Sequence, residues 1–266
     1  MIHGLAHAKI NLALVVGPLR EDGKHEVTTV LQRVDLADAI ELERNGPLVV
    51  EGFPDDTLVT RALQLLAEEA GVEPAWRVKI DKQNPVAARL GGGSSDAASA
   101  LSAANVTLDR PLTAERLHAL AAAVGADVPF FLGAGPQIGE GDGSTLTAVD
   151  LRQDYRVLLL SPDGVEKAST AAVYADFDAR GGADGYEERR GRLLGALAAG
   201  DLAGLPPNDL ASSPLAGELR GLGAFRADVS GAGPAVYGLF DYPDVALAAQ
   251  SRLRARGRVW IVPPAW

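Results

Sequence analysis

Cysteine is absent from the 266 residues, and methionine occurs only at position 1. Without cysteine the chain can form neither disulfide bonds nor thiolate metal sites, which is compatible with a reducing compartment. No apolar run approaches the length of a membrane span, and the first residues lack the basic and apolar regions of a signal peptide. These features predict a cytoplasmic protein without a membrane partner.

Positive charge is also scarce, since 25 lysines and arginines stand against 35 acidic residues and leave a net charge of −10. A nucleic-acid surface needs a basic stripe, so this balance argues against nucleic acid as a partner. An anionic small molecule would need a site that is locally basic against the overall field. The candidates for that site are Lys9, Lys24, His25, Lys82, Arg89 and Lys167. For Lys82 we expect an ordinary surface charge.

Glycine, by contrast, is plentiful, and three glycines stand together between a predicted strand and a predicted helix. Gly91, Gly92 and Gly93 allow positive φ and close approach of the backbone to a ligand. A helix starting directly afterwards would point unpaired amides and its positive dipole end at that ligand. This pattern predicts a nucleotide-phosphate site, with a plain strand-to-helix connector as the alternative. The spacing matches neither a Walker A loop nor a Rossmann fingerprint.

Two further segments contain residues suited to phosphoryl transfer. Lys9 and Asn11 lie two apart in a predicted strand and so project to the same face. Lys9 is flanked by apolar residues and needs a carboxylate or phosphate partner, unless it protects an exposed strand edge. Asp127 lies on a turn between Gly125 and Pro129, where it is either a turn residue or a positioned acid. If the two met, Asp127 could orient or deprotonate an attacking hydroxyl while Lys9 offsets developing charge.

The hydrophobic periodicity predicts an α+β fold, because strands come first and helices then alternate irregularly with strands. A domain boundary is predicted near Asp150, giving domains 1–150 and 151–266. The element order after this boundary is close to that of a split βαβ sandwich. The predicted strands are 3–16, 27–34, 40–42, 48–50, 76–81, 155–160, 225–229, 235–240 and 259–262. The predicted helices are 58–69, ended by Gly71, then 94–105, 114–124 with Thr113 as N-cap, 169–178, 187–199 and 243–256.

Three glycine-containing motifs, in order along the chain, resemble those of the GHMP kinase superfamily. They are Leu90-Gly-Gly-Gly-Ser-Ser95, Gly125-Ala-Asp-Val-Pro129 and Ser230-Gly-Ala-Gly-Pro234. Three other segments narrow the resemblance to the 4-diphosphocytidyl-2-C-methyl-D-erythritol kinases. These are Ala8-Lys-Ile-Asn-Leu12, Asp22-Gly-Lys-His-Glu26 and Gly139-Glu-Gly-Asp-Gly143. The resemblance implies a two-domain GHMP kinase fold, with an N-terminal ribosomal-protein-S5-domain-2-like domain and a C-terminal ferredoxin-like split βαβ sandwich.

The resemblance also implies the ligands and the roles of individual residues. ATP and Mg²⁺ would be used to phosphorylate a small molecule that contains cytidine diphosphate. Lys9 and Asp127 would be the catalytic pair, and Asn11, His25, Thr170 and Tyr174 would bind the substrate, with His25 and Tyr174 at the cytosine. Gly231 and Gly233 would shape a third loop near the phosphates. The ATP loop would consist of Pro85, Val86, Ala87, Ala88, Arg89, Leu90, Gly91, Gly92, Gly93, Ser94 and Ser95.

Some assignments remain open on the residues alone. Ser95 and Asp96 are candidate Mg²⁺ ligands, although Asp96 could instead favour the helix N-terminus. Tyr174 also fits the core face of an amphipathic helix. Four positions depart from the family pattern. Lys24 stands where a tyrosine is usual, and Arg89 where a glycine is usual. Ala232 replaces a serine or threonine, and Asp142 replaces an apolar residue. Another alcohol kinase of the superfamily, or a silent nucleotide-binding protein of the same fold, is the alternative function.

Overall fold

The structure is a computed structural model that describes residues 1–53, 57–86, 88–165 and 169–266. The strands are β1 (Ile2–Leu19), β2 (His25–Glu43), β3 (Val49–Glu51), β4 (Arg77–Asp81), β5 (Gln137–Gly141), β6 (Thr145–Ala148), β7 (Arg156–Pro162), β8 (Arg226–Val229), β9 (Val236–Phe240), β10 (Gly257–Val262) and β11 (Pro264–Ala265). The helices are α1 (Leu58–Ala70), α2 (Gly92–Asn105), α3 (Ala114–Val124), α4 (Thr170–Ala179), α5 (Tyr186–Ala198), α6 (Pro214–Gly221) and α7 (Pro243–Leu253), with a short 3-10 helix at Pro129–Leu132. In these described ranges, no helix has the length and apolar character needed to cross a membrane.

The chain forms two compact units, each assembled from several segments. The first unit contains Met1–Ala8, Leu36–Pro85 and Gly91–Ala134. The second contains Lys9–Asp35, Val86–Leu90 and Gly135–Trp266. Because neither unit is a continuous piece of chain, this division differs from a single cut near Asp150. The domain boundary at that position stays a prediction.

The first unit packs three helices with a small mixed sheet. β4 pairs antiparallel with β2 and parallel with β3. Apolar side chains of these strands and of α1, α2 and α3 share one core with the fully buried Trp76. As predicted, α1 stops at Gly71, whose φ of 66° suits glycine, and the Thr113 side chain caps α3. The helix that follows the glycine loop, α2, is thereby held in a packed environment.

The second unit contains an antiparallel sheet in the order β10-β7-β9-β8. If these four strands are numbered 1 to 4 along the chain, their order in the sheet is 4-1-3-2. This is the strand order of the ferredoxin-like split βαβ sandwich. Leu158, Leu160, Val236 and Phe240 from the sheet pack with side chains of α6 and α7 in its core. Separately, β5 pairs with β2 and with β6, while β11 pairs with β2. The predicted α+β class is confirmed.

The predicted strands 27–34 and 40–42 are one continuous strand, β2. Acidic residues interrupt the apolar pattern between them, but Asp35 is exposed and the carboxylate of Asp38 is hydrogen-bonded, so the strand continues. The Asp35 amide donates to the Pro263 carbonyl at 3.0 Å, and the buried Asp38 carboxylate accepts several donors. The prediction also missed α6 and the β5–β6 hairpin, whose short segments carry weak periodicity.

Candidate active site

The glycine loop and the start of α2 have the geometry expected of an anion site. Helix α2 begins at Gly92, two residues before the predicted start, and Gly91 precedes it with a φ of 73°. This left-handed conformation disfavours any residue with a side chain, so the glycine is needed there. The Ser95 amide closes the first turn on the Gly91 carbonyl at 2.9 Å. The arrangement supports the predicted phosphate role, while Ala87 of the loop lies outside the described residues.

Next to the start of α2, the first unit buries a cluster of three charged side chains. Lys82 donates from Nζ to Asp38 Oδ2 at 2.6 Å and to Asp96 Oδ2 at 2.7 Å. Both carboxylates are fully buried, and the Lys82 side chain is 15% exposed. The interpretation of Lys82 as an ordinary surface charge is therefore wrong. We call these three residues the lysine–aspartate cluster.

The cluster connects the start of α2 to the rest of the first unit. The Asp38 carboxylate also accepts hydrogen bonds from the backbone amides of Gln83 and Asn84, at 2.5 and 2.7 Å. A Cβ added at Gly92 would lie 3.2 Å from Asn84 Cβ and 3.5 Å from Lys82 Nζ. The backbone at the start of α2 thus lies directly against the cluster, which positions the helix N-terminus.

The environment shifts the ionisation of all three groups. Burial raises the pKa of Asp96 to about 7, against the opposing effect of Lys82. Burial alone would raise the pKa of Asp38, but hydrogen bonds from Lys82 and Asn84 hold it below its usual value. The pKa of Lys82 is raised, because the two carboxylates outweigh the effect of burial. Asp96 is thus the member of the cluster that titrates near neutrality.

A pH dependence of stability follows from Asp96. Between about pH 4 and 7 the folded protein keeps a proton that the unfolded chain has released, so stability falls as pH rises through this window. Asparagine does not titrate. In Asp96→Asn the decrease in unfolding free energy between pH 5 and 8 is therefore expected to be smaller than in wild type by about 1–3 kcal/mol, at about 1.4 kcal/mol per pKa unit. Urea denaturation at pH 5, 6, 7 and 8 measures this. The exposed Asp81→Asn is the control, and equal slopes for Asp96→Asn and wild type would contradict the assignment.

Asp127 lies on the predicted turn of the first unit. The Val128 amide donates to the Gly125 carbonyl at 3.1 Å, and Pro129 then begins the short 3-10 helix. Phe130 behind this turn is buried, whereas Asp127 is partly exposed. A partly exposed carboxylate on a turn fixed by proline suits a positioned acid. That it acts together with Lys9 stays a prediction.

Lys9 and Asn11 occupy one face of β1 in the second unit, as their spacing predicts. Lys9 Nζ donates to Asn11 Oδ1 at 2.8 Å, and Asn11 Nδ2 donates to Thr29 Oγ1 at 2.8 Å. Both residues are buried, which contradicts the alternative of an exposed edge lysine. The Lys9 amide also donates to the carbonyl of Leu90, directly before Gly91, at 2.7 Å. The ammonium group is therefore held in a fixed position.

The third glycine loop reaches the same pair of side chains. The Asn11 amide donates to Ser230 Oγ at 3.2 Å. Gly231 has a φ of 57°, and a Cβ there would lie 3.3 Å from Asn11 Oδ1. Gly233 also has a positive φ of 72°. These glycines let the loop approach Asn11 closely, which supports the predicted third loop of the site.

A cavity of about 480 Å³ in the second unit contains most of the predicted substrate residues. His25 stacks on Tyr174, with ring centroids 4.8 Å apart and an interplanar angle of 28°. Its Nε2 lies 2.8 Å from Asp178 Oδ1. Thr170 also lines the cavity. The structure therefore brings His25, Thr170 and Tyr174 together, and it adds Asp178, which the sequence did not suggest.

Two of the departures from the family pattern are partners of each other. Lys24 Nζ lies 2.5 Å from Asp142 Oδ2 beside this cavity. Hydrogen bonds from Lys24 and Ser144 lower the pKa of Asp142 to about 2. Each side chain thus neutralises the charge that the other brings. The net charge of the pair is therefore the same as that of two uncharged residues.

Arg89 is the third departure, and its conformation explains why glycine is usual at that position. Its φ of 59° is in the left-handed region, which favours glycine. Its guanidinium donates to Thr170 Oγ1 at 2.5 Å. Arg89 therefore ties the glycine loop to the first turn of α4. Ala232, the fourth departure, packs against an apolar cluster that includes Leu14 and Phe177.

Comparison with known proteins places this arrangement in a family. The model for "GHMP kinases N terminal domain" matches residues 57–135, and that for "GHMP kinases C terminal" matches residues 190–259. A 4-diphosphocytidyl-2-C-methyl-D-erythritol kinase of Anaeromyxobacter sp. strain Fw109-5 is 38% identical, over 92% of this chain and 84% of the relative. The chain belongs to the 4-diphosphocytidyl-2-C-methyl-D-erythritol kinase family.

Solved structures agree with this family at the level of the fold. A crystal structure of 4-(cytidine 5'-diphospho)-2C-methyl-D-erythritol kinase matches with a TM-score of 0.82 and 32% identity over 100% of both chains. A homoserine kinase from Cytophaga hutchinsonii matches with a TM-score of 0.76 over 99% of this chain and 95% of the other. At 16% identity, that second likeness shows the fold alone. The predicted GHMP kinase fold and family are confirmed.

Sequence reasoning missed three residues beside the predicted site of this family member. Lys82 was expected to be an ordinary surface charge, and neither Asp38 nor Asp178 was singled out. One signal for Asp38 was available, since an aspartate between apolar strand residues needs a partner when it is buried. Asp178 gave no such signal, because an aspartate that is 53% exposed on a helix needs no buried partner.

Proposed function

We propose that this chain transfers the γ-phosphoryl group of ATP to the 2-hydroxyl of 4-diphosphocytidyl-2-C-methyl-D-erythritol, in non-mevalonate isoprenoid precursor biosynthesis. The cavity in which His25 and Tyr174 stack is the observation that supports this choice of substrate. A ring nitrogen can form a hydrogen bond with the edge of a pyrimidine base, and an aromatic ring can stack on its face. A kinase for homoserine or a mevalonate-like acid has no use for such a pair.

The catalytic roles go to Asp127 and Lys9. Asp127 orients the 2-hydroxyl and accepts its proton as the oxygen bonds to the γ-phosphorus and the bond to ADP breaks. Lys9, held by Asn11, offsets the negative charge that develops on the transferred group. Asn11 also contacts the erythritol end of the substrate. Phosphoryl transfer depends mostly on such positioning and charge compensation, which matches the rigid hydrogen bonding around Lys9.

The glycine loop and the first turn of α2 bind the ATP phosphates. Amides at a helix N-terminus suit an anion, and Gly91 gives the backbone the conformation that exposes them. Mg²⁺, when bound, neutralises charge on the phosphates. Asp96 fits a direct role as its ligand poorly, because its Oδ2 already accepts a hydrogen bond from Lys82. Ser95 is the side chain that would hold the metal.

The test is a coupled ADP-release assay with purified protein, Mg-ATP and 4-diphosphocytidyl-2-C-methyl-D-erythritol, with homoserine and mevalonate as parallel acceptors. We expect ADP release only with the cytidylyl substrate. Release with homoserine or mevalonate alone would reassign the chain to another GHMP kinase. Binding of ATP without release for any acceptor would instead identify a silent nucleotide-binding protein.

A further inference from the structure

The strongest unexplained contact in the cavity is between His25 and Asp178, which are 153 positions apart in the sequence. The His25 side chain is 7% exposed, and its Nε2 lies 2.8 Å from Asp178 Oδ1. A carboxylate has only acceptors, so the hydrogen in this bond belongs to Nε2 of the imidazole. Asp178 therefore fixes which ring nitrogen carries the proton.

The other ring nitrogen of His25, Nδ1, is left as an acceptor. In the neutral ring, a proton on Nε2 leaves Nδ1 as a hydrogen-bond acceptor. Among the described residues, Nδ1 of His25 has no hydrogen-bond partner. The ring cannot reorient freely, because Tyr174 stacks on its face and Phe177 meets it edge-on with centroids 5.9 Å apart. His25 thus offers a fixed acceptor, and it lines the cavity.

A fixed acceptor distinguishes the two common pyrimidines at their 4-position. Cytosine has an amino group there, which donates, whereas uracil has a carbonyl oxygen, which accepts. We propose that Asp178 is a positioning residue that holds His25 in the tautomer which accepts from the cytosine 4-amino group, and so sets the preference for cytosine over uracil. This inference rests on the proposed function, since it assigns a cytidine nucleotide to this cavity.

The experiment measures binding of CDP and UDP by titration calorimetry to the full chain and to Asp178→Asn. An asparagine side chain can present either a donor or an acceptor to Nε2, so it no longer imposes one tautomer. We expect wild type to prefer CDP by tenfold or more, and the ratio to fall roughly five- to tenfold in the variant, as for one hydrogen bond. Asp176→Asn, an exposed position of the same helix that does not line the cavity, should keep the wild-type ratio.

Two further readouts separate positioning from a general structural role. Nitrogen-15 imidazole spectra should show His25 protonated at Nε2 in wild type and a mixture of tautomers in Asp178→Asn. Steady-state kinetics should place the loss in KM for the cytidylyl substrate and leave kcat unchanged, because contacts to the base do not change during phosphoryl transfer. An unchanged CDP-to-UDP ratio in Asp178→Asn, or no preference in wild type, would overturn the proposal.

The two proposals fail in different ways. If the wild-type protein prefers CDP in an Asp178-dependent manner but phosphorylates no cytidylyl alcohol, the proposed function is wrong and the inference holds. If it phosphorylates the cytidylyl substrate and Asp178→Asn keeps full base selectivity, the inference is wrong and the function holds.

Discussion

Replacing Asp127 by asparagine is expected to lower kcat roughly 10³-fold while ATP binding stays near its wild-type strength. The amide keeps the size and the turn geometry of the carboxylate but cannot accept the proton of the attacking hydroxyl, and positioned proton acceptors contribute about 10²–10⁴-fold. The glycine loop, which is proposed to bind ATP, is a separate segment, and Gly91 and the lysine–aspartate cluster set the geometry at its end. ADP release under saturating substrate gives kcat, and calorimetry gives the affinity for ATP.

The control for Asp127→Asn is Asp109→Asn in the same unit. The Asp109 side chain is 99% exposed in a loop, so the same change of charge there should leave kcat within about twofold of wild type. Near-normal turnover of Asp127→Asn would remove this carboxylate from the mechanism. A loss of ATP binding equal to the loss of kcat would show instead that Asp127 supports the nucleotide site.

The second large effect is expected for Lys82→Met. Methionine fills a similar volume but leaves the buried carboxylates of Asp38 and Asp96 without their shared cation, which costs about 3–5 kcal/mol of unfolding free energy. Because Asp38 also holds the backbone of Gln83 and Asn84, the start of α2 should lose its fixed position. We therefore expect weaker ATP binding as well as a lower urea midpoint.

Lys79→Met supplies the matched comparison on β4. Lys79 is 61% exposed, and its distance to Glu41 is 3.8 Å, so the loss should stay below about 1 kcal/mol. A similarly small effect of Lys82→Met would mean that the buried carboxylates take up protons at little cost. The lysine–aspartate cluster would then have no structural importance.

Several local features were predictable because neighbouring residues determine them. The spacing of apolar residues in α1 and the glycine at its end fixed its extent to within a residue. The Lys9–Asn11 pair shares a face because side chains alternate along a strand. The positive φ of Gly91 and the helix that follows were predictable from the run of glycines, and the phosphate role of this loop stays a prediction.

Chain order alone could not reveal which charged groups meet. Lys24 and Asp142 are 118 positions apart, and each seemed an isolated departure from the family pattern until the structure paired them. Asp38 and Asp96 likewise lie on different elements of the first unit, β2 and α2, and Lys82 donates hydrogen bonds to both. Partners of this kind depend on how strands and helices pack, and periodicity contains no information about that packing.

By itself, the amino-acid sequence determined the α+β class, most helices and strands, the family and the residues predicted to bind ATP and substrate. All of these depend on local spacing or on short motifs. Only the tertiary structure decided that Lys82 is buried between two carboxylates, that Asp96 faces inward, and that Asp178 holds His25. A charged side chain is stable in the interior only with a partner, and the fold brings that partner from a distant part of the chain.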